Sequence, residues 1–295
     1  MPSARTDLLE IHYETGGDPS ASTVLLLHGW PDDVRSWRRI TPVLESGGCR
    51  WIAPWLRGCG PTRFLSEATL RDGRTEALAQ DAIDLMDSLN IERFSVIGHD
   101  WGARVAYALA ALIPHRLLSI AAISLAYAPR GAFVVPAFQQ SRAWWYQWFM
   151  SVDKGAEAVA KDPNAFAKMQ WETWSPPGWF DEAEFKATAR SFENPDWLAI
   201  TLNGYRSRWR DDEERDARYA ELSRRVASVE QLDVPTLMVQ GATDGTVLAS
   251  SSEGQEKWFS RGYQRIVLDG IGHFPTREAA DVVGRRLLSH LQEHD

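Results

Sequence analysis

Gly98-His99-Asp100-Trp101-Gly102 decides the fold. Before it, Phe94-Ser95-Val96-Ile97 reads as a short buried strand, and after it, Ala103 to Ile113 reads as a helix rich in alanine and leucine. Strand, sharp turn and helix form the setting of a nucleophile elbow, with aspartate where serine is usual. The small Gly98 and Gly102 let the turn tighten without steric clash, so the side chain between them projects from the end of the sheet. Asp100 is therefore the candidate nucleophile. The plainer alternative is a turn residue or helix N-cap, a place aspartate often takes.

An aspartate with a reference pKa near ~3.9 is ionised at neutral pH and needs no base before it attacks. Carboxylates attack amides and ordinary esters poorly, because the anhydride collapses back, but they can displace a good leaving group from sp³ carbon. Epoxides and alkyl halides meet that demand. The product would be an alkyl ester of the enzyme, whose release needs an activated water, and hence a histidine with an orienting carboxylate further along the chain.

Strand-like apolar runs occur at Leu8 to Tyr13, Thr23 to Leu27, Trp51 to Pro54, Phe94 to Ile97, Leu117 to Ser124, Thr236 to Gln240 and Ile266 to Leu268, with helical patterns between most of them. This alternation predicts an α/β fold: a mostly parallel sheet covered on both faces, with chemistry at the carboxyl ends of the strands. It stops near residue 130 and resumes near 235. The intervening segment is helical, is broken at Pro163, Pro176-Pro177-Gly178 and Asn194-Pro195, and holds eight of the fourteen tryptophans. So many large rings need something to pack on, and an insertion seated over the active edge of the sheet provides it. A separate helical domain is the other reading. The expected organisation is a first core part over 1–130, a helical cap over 131–230 and a second core part over 231–295.

With 295 residues and 44% apolar content the chain can bury a large core. Its net charge of -8 is spread out, and no basic patch or RNA-binding aromatic motif argues for nucleic acid. The polar, glycine-broken start and the lack of a bilayer-length apolar run predict a cytoplasmic protein with no membrane partner. Cys49 and Cys59 fit neither a disulfide framework nor a metal site and read as packing residues.

Towards the C-terminus, Val239-Gln240-Gly241-Ala242-Thr243-Asp244 reads as a strand ending in a carboxylate loop, and Gly270-Ile271-Gly272-His273-Phe274 follows the next strand. Asp100, Asp244 and His273 then stand in the order nucleophile, acid, base. Asp244 would hold His273 in the tautomer that leaves one nitrogen free for a water proton. Asp233 and Asp269 are alternatives for the acid. His28-Gly29-Trp30-Pro31 follows the strand Thr23 to Leu27, where the loop supplies one oxyanion-hole N–H and the residue after the nucleophile supplies the other. By position these are Trp30 and Trp101. His28, Pro31 and Trp145 are expected to line the substrate pocket, with His28 and His99 as hydrogen-bonding residues beside the site.

These residues together resemble the epoxide hydrolase and haloalkane dehalogenase group of the α/β-hydrolase fold, over nearly the whole chain. Trp55 stands where that group usually has aspartate, and Pro61-Thr62 replaces its small-residue ending. The resemblance implies two cap tyrosines that protonate the epoxide oxygen. Trp145-Tyr146-Gln147-Trp148-Phe149 and Leu202-Asn203-Gly204-Tyr205-Arg206 are similar to the two motifs that carry them. Trp30 sits where many haloalkane dehalogenases have a halide-binding asparagine. Asp100-Trp101-Gly102-Ala103-Arg104 also resembles the fluoroacetate dehalogenases, where an arginine at this place binds the substrate carboxylate; the second arginine that usually follows their nucleophile is Trp101 here, and Arg104 is read as a helix salt-bridge partner. The expectation is an epoxide hydrolase without metal or organic cofactor, acting on a small apolar or aromatic substrate, with a homodimer left open. A haloalkane or haloacid dehalogenase and a ligand-binding relative are the alternatives.

Overall fold

Buried parallel strands read as continuous apolar runs because both of their faces are covered. In the computed structural model, which describes residues 1–295, all five residues of β3 and all six of β6 are buried. The strands are β1 (Ser3–Arg5), β2 (Leu9–Gly16), β3 (Thr23–Leu27), β4 (Arg50–Pro54), β5 (Arg63–Phe64), β6 (Phe94–His99), β7 (Leu117–Ile123), β8 (Thr236–Gly241) and β9 (Tyr263–Leu268). They form one sheet in the order β1-β2-β4-β3-β6-β7-β8-β9, with β5 paired to β2. Pairing is parallel from β4 through β9, whereas β2 runs antiparallel to β1, β4 and β5.

Side chains alternate across a strand, so neighbours in sequence enter different layers. Leu25, Leu27, Val96, Ile120, Ala122 and Met238 join the larger core, packed with the helices Thr75–Ser88 and Trp101–Leu112. Val24, Leu26, Ile97, Ala121, Ile123, Leu237 and Val239 face the smaller core, closed by Leu44 and by Val283, Leu287 and Leu291 of the helix Ala280–Glu293.

Seven helices lie between β7 and β8: Phe138–Ala143, Trp145–Ser151, Asp153–Lys161, Pro163–Trp174, Glu182–Ala189, Trp197–Trp209 and Ala220–Ser228. They are tied to the strand ends. Trp30 Nε1 donates to Thr201 Oγ1 (2.9 Å), Trp171 Nε1 to the Pro31 carbonyl (2.7 Å) and the Gly245 amide to the Trp174 carbonyl (2.9 Å). Both cysteines are free and buried, and no helix is long and apolar enough to cross a membrane.

Leu26 lies in the middle of a central strand with no exposed surface. Leu26→Ala should lower unfolding free energy by about 2–5 kcal/mol, read as a shift of the urea midpoint at constant slope.

Candidate active site

Asp100 links β6 to the helix Trp101–Leu112 with φ 49° and ψ -110°. A side chain in that region costs about 1–3 kcal/mol, so the surroundings must hold it there. The Asp100 amide donates to the Ile123 carbonyl (3.0 Å), and its own carbonyl accepts from the Ala103 and Arg104 amides (3.0 and 3.2 Å). A Cβ on Gly98 would stand 2.1 Å from the Gly102 carbonyl oxygen, which is why strand and helix meet only through glycine.

The His28-Gly29-Trp30 loop closes over the carboxylate in the same way. A Cβ on Gly29 would lie 2.6 Å from the Asp100 Cβ. This approach brings the Trp30 amide to Asp100 Oδ1, where it donates a 2.9 Å hydrogen bond. Trp101 begins the helix beside it.

His273 sits in the loop after β9 with no exposed surface. Its amide donates to Ser175 Oγ (2.8 Å) and to the Trp174 carbonyl (3.1 Å), and its carbonyl accepts from His99 Nε2 (2.7 Å). Its Nδ1 donates to Asp244 Oδ2 at 2.8 Å. Nε2 faces Asp100 Oδ2 at 3.7 Å, an ion-pair separation too long for a hydrogen bond. Asp244 Oδ1 accepts from the Thr246 and Val247 amides (2.8 Å each), and Gln240 Nε2 donates to Oδ2 at 3.3 Å. Of the three acids considered, Asp244 is the one that reaches the imidazole. Asp233 instead accepts from Ser260 Oγ.

Burial and charge oppose each other at every group here. Burial pushes the Asp100 carboxyl upward, but His273, with Arg104 and His99, more than offsets it and holds the pKa below the usual range. Burial pulls His273 down, and the carboxylates of Asp244 and Asp100 overcome it and raise the imidazole. Burial, helped by the adjacent His273, lowers His99 to about 4, so that ring stays neutral.

Tyr146 and Tyr205 converge above Asp100 with rings 5.4 Å apart and edge to face. The Tyr146 oxygen accepts from Gln147 Nε2 (3.1 Å) and Thr246 Oγ1 (3.2 Å), and the Tyr205 oxygen accepts from Trp101 Nε1 (3.1 Å). Burial raises both phenols, with the Asp100 charge adding to it. Trp30 stacks on Tyr146 (5.9 Å), and Trp174 packs against Tyr146 (4.8 Å) and His273 (4.9 Å). Trp174, Ser175, Thr246 and Gln147 therefore belong to the site although sequence reading missed them. Only the adjacency of Thr246 to Asp244 and of Gln147 to Tyr146 hinted at it.

Two expectations are corrected, for Trp145 and Arg104, and those for His28 and Pro31 are made specific. His28 presents no free nitrogen to a ligand: Nε2 accepts from the Leu56 amide (3.1 Å), so Nδ1 carries the proton and donates to the Gly29 carbonyl (2.9 Å). Trp145 is 40% exposed and packs on Phe149 and Phe166, because the turn of the helix that aims Tyr146 inward sends residue 145 outward. Pro31 contributes mainly its carbonyl, engaged by Trp171. Arg104 makes no salt bridge, and its charge is felt instead at Asp100, Tyr146 and Tyr205. Trp55, the departure from the family pattern, is buried and donates to Ser191 Oγ (3.2 Å), which ties the strand end to the cap.

Comparison with known proteins places this geometry in a family. The model of the alpha/beta hydrolase fold matches residues 22–279. The crystal structure of a provisionally assigned epoxide hydrolase from Klebsiella pneumoniae superposes with a TM-score of 0.91 at 35% identity, covering 99% of this chain and 97% of that one. Epoxide hydrolase A of Mycobacterium tuberculosis is 25% identical over 97% of this chain and 95% of its own length. A fluoroacetate dehalogenase of a Burkholderia species is 26% identical over 96% and 90%. The chain belongs to the α/β-hydrolase fold family and is a hydrolase of its epoxide hydrolase group.

Proposed function

We propose that the protein opens an epoxide to a vicinal diol through an ester on Asp100. The observation that carries this reading is the pair of phenols over the carboxylate. Each oxygen already accepts a hydrogen bond from the protein, so each O–H is left to donate to a substrate oxygen. In the first step an Asp100 oxygen forms a bond to an epoxide carbon, the ring C–O bond breaks, and the freed oxygen takes a proton from Tyr146 or Tyr205. In the second, water attacks the ester carbonyl and gives its proton to His273 Nε2. The Trp30 and Trp101 amides stabilise the resulting oxyanion, which collapses to release the diol and the Asp100 carboxylate. The proton on His273 then restores the tyrosine.

The charge balance couples the two steps. Esterification removes the Asp100 charge and with it part of what raises His273, so the imidazole becomes easier to deprotonate when a base is required. The aromatic walls suit a small apolar or aromatic substrate. A second reading, displacement of halide from carbon, draws on the 26% identical dehalogenase and on the buried Trp174 indole N–H, which has no acceptor.

Asp100→Asn should cut turnover on the order of 10⁴-fold or more while keeping the fold, since the amide lacks the attacking charge. Activity near wild type in protein verified by mass to remain Asn would remove Asp100 from the role. Tyr146→Phe with Tyr205→Phe should slow ester formation from styrene oxide on the order of 10² to 10⁴-fold; an unchanged rate would sink the tyrosine assignment. His273→Gln should stall after alkylation. Intact mass should then show one adduct equal to the whole epoxide, mapped to Asp100, whereas an alkyl halide would leave an adduct lighter by the lost halide and would favour the second reading.

Because His273 must be neutral to act as base, ester breakdown should accelerate with rising pH. The ester fraction of wild-type enzyme in steady state should therefore fall between about pH 6 and about pH 9. Rapid-quench mass measurement reads it directly, and a fraction that stays level or grows would contradict His273 as the base.

A further inference from the structure

The strand β8 is buried along its whole length, and Gln240 is its one carboxamide, with no exposed surface. Sequence reading passed over it as the end of an apolar run and gave it no role. An amide taken out of water costs free energy unless its donors and its acceptor are both met, and here only the donor end is. Nε2 donates to Asp244 Oδ2 at 3.3 Å and to the Val247 carbonyl at 3.1 Å, while Oε1 is buried without a partner. Turning the amide over would not help, because Oε1 would then face a carboxylate and a carbonyl oxygen. The orphaned oxygen is the cost of keeping an N–H on Asp244.

The oxygen that Gln240 contacts is the one that holds the base. Asp244 Oδ2 also accepts from His273 Nδ1 at 2.8 Å, whereas Oδ1 is held by the Thr246 and Val247 amides. Two donors on Oδ2 share one negative charge, so what Gln240 takes is withdrawn from the imidazole. The other titratable groups facing His273 are Asp100, 3.7 Å from Nε2, and the neutral ring of His99, 5.1 Å away; Tyr146 meets it only through Trp174. None of these bonds Oδ2, which leaves Gln240 as the side chain placed to tune the contact between acid and base.

We propose that Gln240 is a positioning residue for the base, acting through Asp244: its Nε2–H fixes Oδ2 and draws part of the carboxylate charge away from His273, so that the imidazole is held in place yet gives up its proton more readily. An aspartate relieved of that donor would bind the imidazolium more tightly and keep it protonated to higher pH. In the second half-reaction, a consequence that rests on the epoxide reading, the ester on Asp100 would then wait longer for its base.

The test replaces Gln240 by side chains of similar size without a donor, Gln240→Met and Gln240→Leu, and follows His273 in the resting enzyme by nitrogen NMR with isotope-labelled histidine, its signals assigned by their loss in His273→Gln. In both variants the titration midpoint of His273 should rise by about half a pH unit or more, the size expected of one hydrogen bond to a carboxylate. In the wild type the Gln240 carboxamide signals should follow the same midpoint as His273, since both groups share Oδ2. Rapid-quench mass measurement with styrene oxide should show the ester of the variants persisting to higher pH by a similar increment. A midpoint that stays or falls in the variants overturns the proposal, as does an ester whose persistence ignores a risen midpoint. Melting temperature is read alongside: a lower value with an unmoved midpoint is the pattern of a residue that only fills the core. A wild-type carboxamide blind to the His273 titration also overturns it, and that measurement needs no variant to fold. If the midpoint rises but no epoxide ever labels Asp100, even in the wild type, the epoxide reading fails and the role of Gln240 at the base stands.

Discussion

An ionised carboxylate enclosed by tryptophan and tyrosine is the constraint on which the rest of the structure depends. Burial alone would neutralise Asp100 and leave a poor nucleophile. Its charge survives because His273 stands 3.7 Å away, the Trp30 amide donates at 2.9 Å, and Arg104 sits one turn along the helix. Each of these needs a particular backbone. The Trp30 amide requires Gly29, since any Cβ there would collide with Asp100, and the elbow requires Gly98 and Gly102 to press strand against helix. The strained φ of Asp100 is thus one cost of aiming a carboxylate where the sheet ends, and both packed cores help to meet it.

Much of the fold was legible because a parallel sheet buried on both faces writes itself as apolar runs. Thr23–Leu27 was read with its observed bounds, and Leu117 to Ser124 differs from β7 by one residue. Edges were harder. β1 and β5 consist of Ser3–Arg5 and Arg63–Phe64, too short and polar to stand out, and β9 begins three residues before the apolar run because an edge strand, only partly buried, admits polar residues such as Gln264 and Arg265. The order of Asp100, Asp244 and His273 was visible because each follows a strand. Contacts across the cap were not: nothing local in Ser175 announces that it holds the His273 amide, and the nearness of Thr246 to Asp244 does not reveal that its hydroxyl reaches the Tyr146 oxygen. Trp145 failed for the complementary reason: a tryptophan-rich motif names the residues but not which side of a short helix each occupies.

The cap is joined to the core through the same residues that form the chamber. Trp30 bonds Thr201 while stacking on Tyr146, the Trp174 carbonyl receives the amides of Gly245 and His273, and its ring closes on that histidine. Packing that seats the cap therefore also sets the distance between the phenols and the carboxylate. A change in cap position would alter leaving-group donation and base orientation together, so the two half-reactions are mechanically linked as well as electrostatically linked.

That electrostatic link explains why an excess of positive charge is tolerated beside the nucleophile. Before reaction, Asp100 and Asp244 face the imidazole of His273, and the charges of Arg104 and Arg208 also bear on Asp100, three cations to two carboxylates when the imidazole is protonated. Ester formation moves one negative charge from Asp100 to the tyrosine oxygen that gave up its proton, so His273 loses one of its two neighbouring carboxylates, and its proton is more labile than that of either guanidinium. The arginines thus help to drive the histidine into its basic form at the moment water must be activated. With the Asp100 charge gone, Asp244, whose oxygens are all engaged, is left to set the basicity of the imidazole.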